Sequence, residues 1–255
     1  MNNKNECQYC DICPVMKANG DQVVPMVHDG FLGEFKNFKI SKNDINDNKP
    51  TIIMVGEAPA TEEEVLLTPF VGSAGKILRK TLYNTEFLNS FNVILTNAVK
   101  CRPIDIKNKK NFRTPAKEEI EFCVDKNLSR LYSNLLLTPE IIWTHKSSRQ
   151  VLINNVFIVL LGHTALTAQS IYAGPENIIK AVSKESINLN NTLGTIIKYK
   201  YISNLSINST NIQVYTYVAY HPSYYIRNIA NIQDYESCFS NIKRSILEIV
   251  SSTFT

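Results

Sequence analysis

Four short apolar runs interrupt an otherwise polar chain: Thr51–Val55 (TIIMV), Val93–Thr96 (VILT), Val156–Leu161 (VFIVLL) and Val214–Ala219 (VYTYVA). Each is rich in β-branched or aromatic residues and too short for a buried helix, which predicts four buried strands. Helical patterns lie between and after them, over Ala74–Tyr83, Pro115–Leu136, Thr164–Tyr172 and Tyr235–Val250. The second opens on Thr114-Pro115, a capping residue and then a proline suited to the first helical position. Glu118 and Glu119 follow in its first turn, where the helix dipole favours them. Strand–helix alternation predicts an α/β fold, with three α/β/α layers around a central, largely parallel four-stranded sheet. One domain over residues 1–255 is expected. Lys42–Lys49, Ile104–Phe112, Asn188–Asn191 and Asn204–Asn211 are polar, Asn-rich or Lys-rich and read as loops. Their composition fits an AT-rich genome and carries no functional weight.

Composition changes this picture little. With 255 residues, 44% hydrophobic and 20% charged, the chain resembles an ordinary globular protein, which excludes a disordered chain, a collagen or a coiled coil. No apolar run approaches the ~20 residues of a membrane helix. The start, MNNKNECQYC, lacks the apolar core of a secretory signal, so a cytoplasmic protein is expected. A net charge of +4 selects no partner.

The residues that follow each strand carry more. They are Gly56-Glu57-Ala58-Pro59-Ala60, then Asn97 with Lys100-Cys101-Arg102-Pro103, then Gly162-His163, then Tyr220-His221-Pro222-Ser223. In a parallel sheet these all lie at the carboxyl edge, where ligands bind. A carboxylate, an amide and two imidazoles would therefore converge there.

Six cysteines are unevenly placed, three of them within Cys7–Cys13. Cys10 and Cys13 form a C-x-x-C-P knuckle, and Cys101 and Cys123 stand far away. Together they make four thiolates, the number a [4Fe–4S] cluster or a structural zinc takes. The wide gap between Cys101 and Cys123 weakens zinc, whose sites favour paired knuckles, and free buried thiols are the plain structural alternative. Cys238 reads as a core thiol. Lys100, Arg102, Lys107, Lys109, Lys110 and Arg113 lie within fourteen residues around and after Cys101, opposed only by Asp105. Such a segment is either a solvated loop or a phosphate-tracking surface.

Seven stretches taken in order resemble the family 4 uracil-DNA glycosylases, the iron–sulfur branch of the uracil-DNA glycosylase superfamily. They are CDICP, MVGEAPATEEE, TPFVGSAGKIL, TNAVKCRP, RTPAKEEIEFC, VLLGHTAL and YHPSYYIRN, spanning Cys10 to Asn228. The resemblance implies a DNA glycosylase that flips a pyrimidine from DNA and hydrolyses its N-glycosidic bond. It implies Cys10, Cys13, Cys101 and Cys123 as ligands of a structural [4Fe–4S] cluster. It makes Glu57 and Glu63 the acidic catalytic residues, Phe70 the aromatic that stacks on the base, Asn97 the amide that reads its edge and His221 the imidazole at O2. Ala58 stands among the base-facing residues, where other branches carry an aspartate. Ser223–Arg227, including Ser223 and Arg227, corresponds to the loop pressed into the minor groove, and Lys100, Arg102, Lys109, Lys110 and Arg113 are expected to face DNA. His163 has no family role and reads as structural. DNA is the expected partner, no protein partner is indicated, and a monomer is expected.

The residue chemistry agrees. An extruded base is flat and polar, and stacking on an aromatic ring is worth ~1–3 kcal/mol. An asparagine offers one acceptor and two donors to N3–H and O4 of uracil. A donor at O2 stabilises the departing anion where charge develops. Each residue also has a plain use: Phe70 as core, Asn97 as a turn cap, His221 as a satisfied core histidine, Glu62–Glu64 as a solvated helix start, Tyr224 and Tyr225 as packing. The chain departs from the family at Ala60, Thr61 and Val65–Thr68. It is longer than the family at Ile104–Phe112 and carries extra sequence at Gly20–Asn48, Thr138–Asn155 and Ile187–Ile212. Three readings follow: removal of uracil, excision of hypermodified cytosine from phage DNA in defence, or a non-catalytic DNA-binding module on the same scaffold.

Overall fold

A computed structural model describes residues 9–20, 25–27, 29–31, 49–106, 112–132, 155–173, 196–201, 212–227 and 231–252. Its strands are β1 (Gly30–Phe31), β2 (Thr51–Gly56), β3 (Asn92–Asn97), β4 (Asn155–Leu161), β5 (Ile196–Tyr201) and β6 (Ile212–Ala219). They form one sheet in the order β1-β3-β2-β4-β6-β5. The central four, β3, β2, β4 and β6, are parallel, and they are the four expected from the apolar runs, each one or two residues longer. β1 and β5 are antiparallel edges that the apolar pattern did not predict. β1 has only two residues, and β5 reads IIKYKY, the lysine-punctuated pattern of an edge strand.

Alternate strand residues supply two separate cores. Ile53, Val55, Ile158, Leu160, Val214 and Val218 face α1 (Pro14–Ala18), α5 (Lys117–Cys123), the π-helical turn Val124–Leu128 and α6 (His163–Ala173). Ile52, Met54, Val93, Leu95, Phe157, Val159 and Tyr217 face α3 (Ser73–Asn84), α4 (Phe87–Ser90) and α8 (Ile232–Ser252). A period of two in strands buried on both faces is what turns continuous apolar runs into a three-layer fold. The last helix buries Tyr235, Phe239, Ile242, Ile246 and Val250, a stripe at helical spacing. No helix among the described residues is long and apolar enough to cross a membrane.

Two short helices, α2 (Thr61–Leu66) and α7 (Ser223–Arg227), follow β2 and β6. The helix expected from Pro115 starts two residues later: Ala116 is its cap, and its N–H donates to Glu119 Oε2 at 2.7 Å. The reach-back carboxylate, not the proline, sets the start. Helical structure runs on to residue 132, and the rest of the expected span lies outside the described residues.

The chain leaves β2 for β3 on one side and later adds β4 on the other. The crevice beyond the ends of β2 and β4 is therefore a topological switch point, where such sheets bind ligands.

Candidate active site

Gly56 and Asn97 end β2 and β3 as paired neighbours. A Cβ on Gly56 would lie 2.5 Å from Asn97 Oδ1 and 2.5 Å from Phe70 Cζ. The missing side chain thus lets an amide and an aromatic ring meet at one point. Asn97 is 5% exposed, and no hydrogen bond to its amide forms among the described residues.

Phe70 is 2% exposed and sits at φ +57°. A bulky residue in this left-handed region costs ~1–2 kcal/mol, so the surroundings must hold it there. Its N–H and that of Val71 donate to the Glu63 carboxylate. Its carbonyl accepts from Arg79 Nε at 3.0 Å. Helix α3 approaches so closely that a Cβ on Gly75 would stand 1.8 Å from that carbonyl oxygen. On the other side Gly30 of β1 lies against the preceding Pro69, whose Cγ would be 3.0 Å from a Cβ there.

The acidic triplet of α2 divides its work. Glu62 is exposed. Glu63 is 7% exposed and accepts from Ala60 N–H at 2.7 Å as well as from the Phe70 loop. Burial raises its pKa above the ordinary 4.5, and the three backbone donors oppose the shift. Glu64 pairs with Arg102.

Glu57, just past β2, is half-buried and accepts from Thr164 Oγ1 at 3.0 Å. Burial raises its pKa above 4.5, with Thr164 and the charge of His163 pulling the other way. His163 is exposed and acts on the site only through that field. A folded-state pKa raised above the unfolded one means that this group favours folding at low pH and opposes it once ionised. Glu57→Gln, which keeps an oxygen acceptor for Thr164, is therefore expected to raise Tm near neutral pH. Melting curves should show the gain shrinking as pH falls through the carboxyl range, and equal Tm values at pH 7 would contradict it.

His221 follows β6. Gly162, at φ +92°, holds the end of β4 against it, and a Cβ there would stand 3.0 Å from His221 Cβ. The ring centroid lies 6.2 Å from that of Phe70 at 34°. Nδ1 accepts the Ser223 N–H at 3.3 Å and meets Ser223 Oγ at 2.8 Å. An Nδ1 that accepts leaves the ring proton on Nε2. Part of the ring's surface stays open, yet the protein around it pushes the pKa from 6.5 down to about 4. His221 is therefore neutral at pH 7 and keeps an Nε2–H donor.

Beyond His221, α7 turns Tyr225 inward to 4% exposure and leaves Tyr224 and Ile226 at 40% and 39%. Tyr224 stacks on Tyr220 at 4.6 Å and 12°. Arg227 ends this helix, exposed. Ala58, half-buried, packs against the first core.

The basic segment differs from expectation. Lys100 is 4% exposed and bonded to Asp29 and Thr96, and Arg102 is 9% exposed and paired with Glu64. Both tie the loop after β3 into the fold and present no charge to a phosphate. Arg113 grips Glu119 through Nη1 at 2.8 Å and Nη2 at 2.6 Å. Lys107, Lys109 and Lys110 lie outside the described residues.

Cys13, Cys101 and Cys123 come from three separate segments into one core cluster, each 3% exposed. Cys10 opens the 3-10 turn Cys10–Ile12 just before Cys13, and its side chain lies outside the described residues, as does Cys7. Asn19 donates to Arg102 O at 3.0 Å and accepts Ile104 N–H at 2.8 Å, clamping the N-terminal turn over the Cys101 loop. No three His, Cys, Asp or Glu among the described residues are arranged to hold one metal ion. Cys238 is half-buried on α8 beside the second core, and burial lifts its pKa to about 11.

Sequence reading missed Gly75, Arg79, Thr164 and Asp29 as parts of the site. The glycines of PFVGSAG were a usable signal; the others act through backbone or distant partners and leave no local pattern.

An aromatic ring, an amide and a neutral imidazole thus stand together at the carboxyl edge of an α/β/α sandwich. The profile of the Uracil DNA glycosylase superfamily matches residues 43–243, and the chain belongs to that superfamily. It is 41% identical over 81 residues to a type-4 uracil-DNA glycosylase of Archaeoglobus fulgidus, covering 32% of this chain and 37% of the relative. It is 38% identical over 115 residues to one of Pyrobaculum aerophilum, 45% of each, and 35% identical over 91 residues to one of Thermotoga maritima, 36% and 42%. The matches thus span less than half the length of these relatives.

Proposed function

We propose that the chain is a DNA glycosylase that draws a pyrimidine out of DNA and hydrolyses its N-glycosidic bond, leaving an abasic site, with uracil as the base. One observation carries this reading: Phe70 and Asn97 meet at the absent side chain of Gly56, and the ring of a neutral His221 lies 6.2 Å from that of Phe70. Phe70 stacks on the extruded ring, and Asn97 pairs with N3–H and O4. The C1′–N1 bond breaks with both electrons leaving on the base, and His221 Nε2–H bonds to O2 as charge gathers there. A water held by Glu57 adds to C1′ and gives its proton to that carboxylate. Glu63, whose oxygens serve three backbone donors, is a structural carboxylate in this scheme.

Cys10, Cys13, Cys101 and Cys123 would hold a [4Fe–4S] cluster whose role is to fasten the N-terminal turn to the loop after β3. Anaerobically purified protein is expected to be brown, with broad absorbance near ~400 nm; colourless protein with stoichiometric zinc would overturn the cluster.

The deciding experiment is excision from oligonucleotides carrying uracil, hypoxanthine, 5-hydroxymethylcytosine or its glucosylated form. Abasic sites at uracil support the proposal. Cleavage only of the bulky bases supports the phage-defence reading, for which the 74% and 58% exposure of Val65 and Leu66 supplies an apolar surface on α2. Tight binding with no cleavage of any substrate would mark a non-catalytic module.

A further inference from the structure

We propose that Arg79 is a positioning residue for base recognition: from helix α3 it holds the backbone carbonyl of Phe70 and so fixes the ring that stacks on the extruded base. This rests on the glycosylase reading, in which Phe70 is the stacking residue.

Five observations converge on it. Phe70 is a bulky residue at φ +57°, a conformation that reverts unless held. Arg79 Nε donates to the Phe70 carbonyl at 3.0 Å across nine residues of chain. The other end of the same peptide plane, the Val71 N–H, is gripped from α2 by Glu63, which also accepts the N–H of Phe70 from the plane before it. The charge of Glu63 also acts on the guanidinium, opposing the lowering of its pKa by burial, so the two grips are electrostatically joined. Gly75, one turn before Arg79 on the same helix, leaves the space in which the carbonyl sits.

The ring end of Phe70 lies over Gly56 beside Asn97 Oδ1. A peptide that relaxed from the left-handed region would swing the ring away from both. Arg79 is directed at the Phe70 carbonyl, so in this proposal its effect on the base passes through Phe70. That dependence separates a positioning role from general support of α3, which would act whether or not the ring is present.

The experiment is a double-mutant cycle with Arg79→Met and Phe70→Ala in the full-length, cluster-loaded protein. It reads kcat/KM on a uracil oligonucleotide and inhibition by free uracil. Arg79→Met is expected to lower kcat/KM by about tenfold, the scale of one stacking contact, and to weaken inhibition by free uracil by a similar factor. In the Phe70→Ala background the same change should move neither quantity by more than about twofold. Arg79→Lys, which still offers a donor, should recover most of the loss, and it serves as the test variant if Arg79→Met does not fold. Equal losses with and without the Phe70 ring, or lost activity with unchanged inhibition by free uracil, would overturn the assignment. A wild-type protein that excises no base would overturn the glycosylase reading itself, and that result appears before any variant is compared.

Discussion

Replacing His221 with alanine is expected to lower kcat by about two to three orders of magnitude, the usual cost of removing one donor from a developing anion. DNA affinity should change little if, as proposed, the ring acts on the extruded base alone. The case rests on protonation. Ser223 uses Nδ1 as an acceptor, and burial holds the pKa near 4. The donor is thus present at every pH where the protein works, and no titration is needed to supply it. Two pH effects follow. Activity should show no limb at 6.5; on acidification it should fall first as Glu57, raised above 4.5, takes a proton and ceases to hold water. Stability should also drop between about 6.5 and about 4. In that window the unfolded chain binds a proton at this histidine that the folded chain refuses, and the drop should be absent from His221→Ala. Nitrogen NMR of the labelled ring and a pH–rate profile would check both, and a kinetic limb centred at 6.5 would contradict the neutral-donor scheme.

Gly75→Ala is expected to be the most damaging alanine substitution among the described glycines. Its Cβ would stand 1.8 Å from the Phe70 carbonyl oxygen, 2.1 Å from its carbon and 2.7 Å from its Cα. All three are backbone atoms, so no rotamer change relieves the clash, and either α3 retreats or the Phe70 loop is expelled. Overpacking of this kind costs roughly 3 kcal/mol, which for a chain of this size lowers Tm by about 6–12 °C. Gly20→Ala is the control. Gly20 has φ +68° but nothing within 4 Å of its Cβ, so it should lose only the ~1 kcal/mol of an alanine in the left-handed region. Thermal melts of the two variants would show the difference, and similar losses would mean that α3 yields easily.

The central sheet was legible because strands buried on both faces must be apolar throughout. Helix α2 was harder to read. It buries Glu63 while exposing Val65 and Leu66, the reverse of an amphipathic stripe, because backbone hydrogen bonds instead of apolar contact fix it. At the site, Glu57, Asn97 and His221 could be found as polar residues at strand ends. Arg79 could not, since its target is a carbonyl and carbonyls have no signature in sequence. The basic segment misled for a related reason. Charge can be counted along the chain, but Lys100 is neutralised by a residue 71 positions away and Arg102 by one 38 positions away.

Those internal pairs bear on how the protein would respond to ionic strength. A cation contributes to the salt dependence of DNA binding only if it displaces counterions condensed on a phosphate, at about 0.9 logarithmic units per contact. Lys100, Arg102 and Arg113 already hold Asp29, Glu64 and Glu119, so together they remove about 2.7 units from the slope that a count of basic residues would give. A glycosylase built this way would show a shallower salt dependence of DNA binding than its count of basic residues suggests.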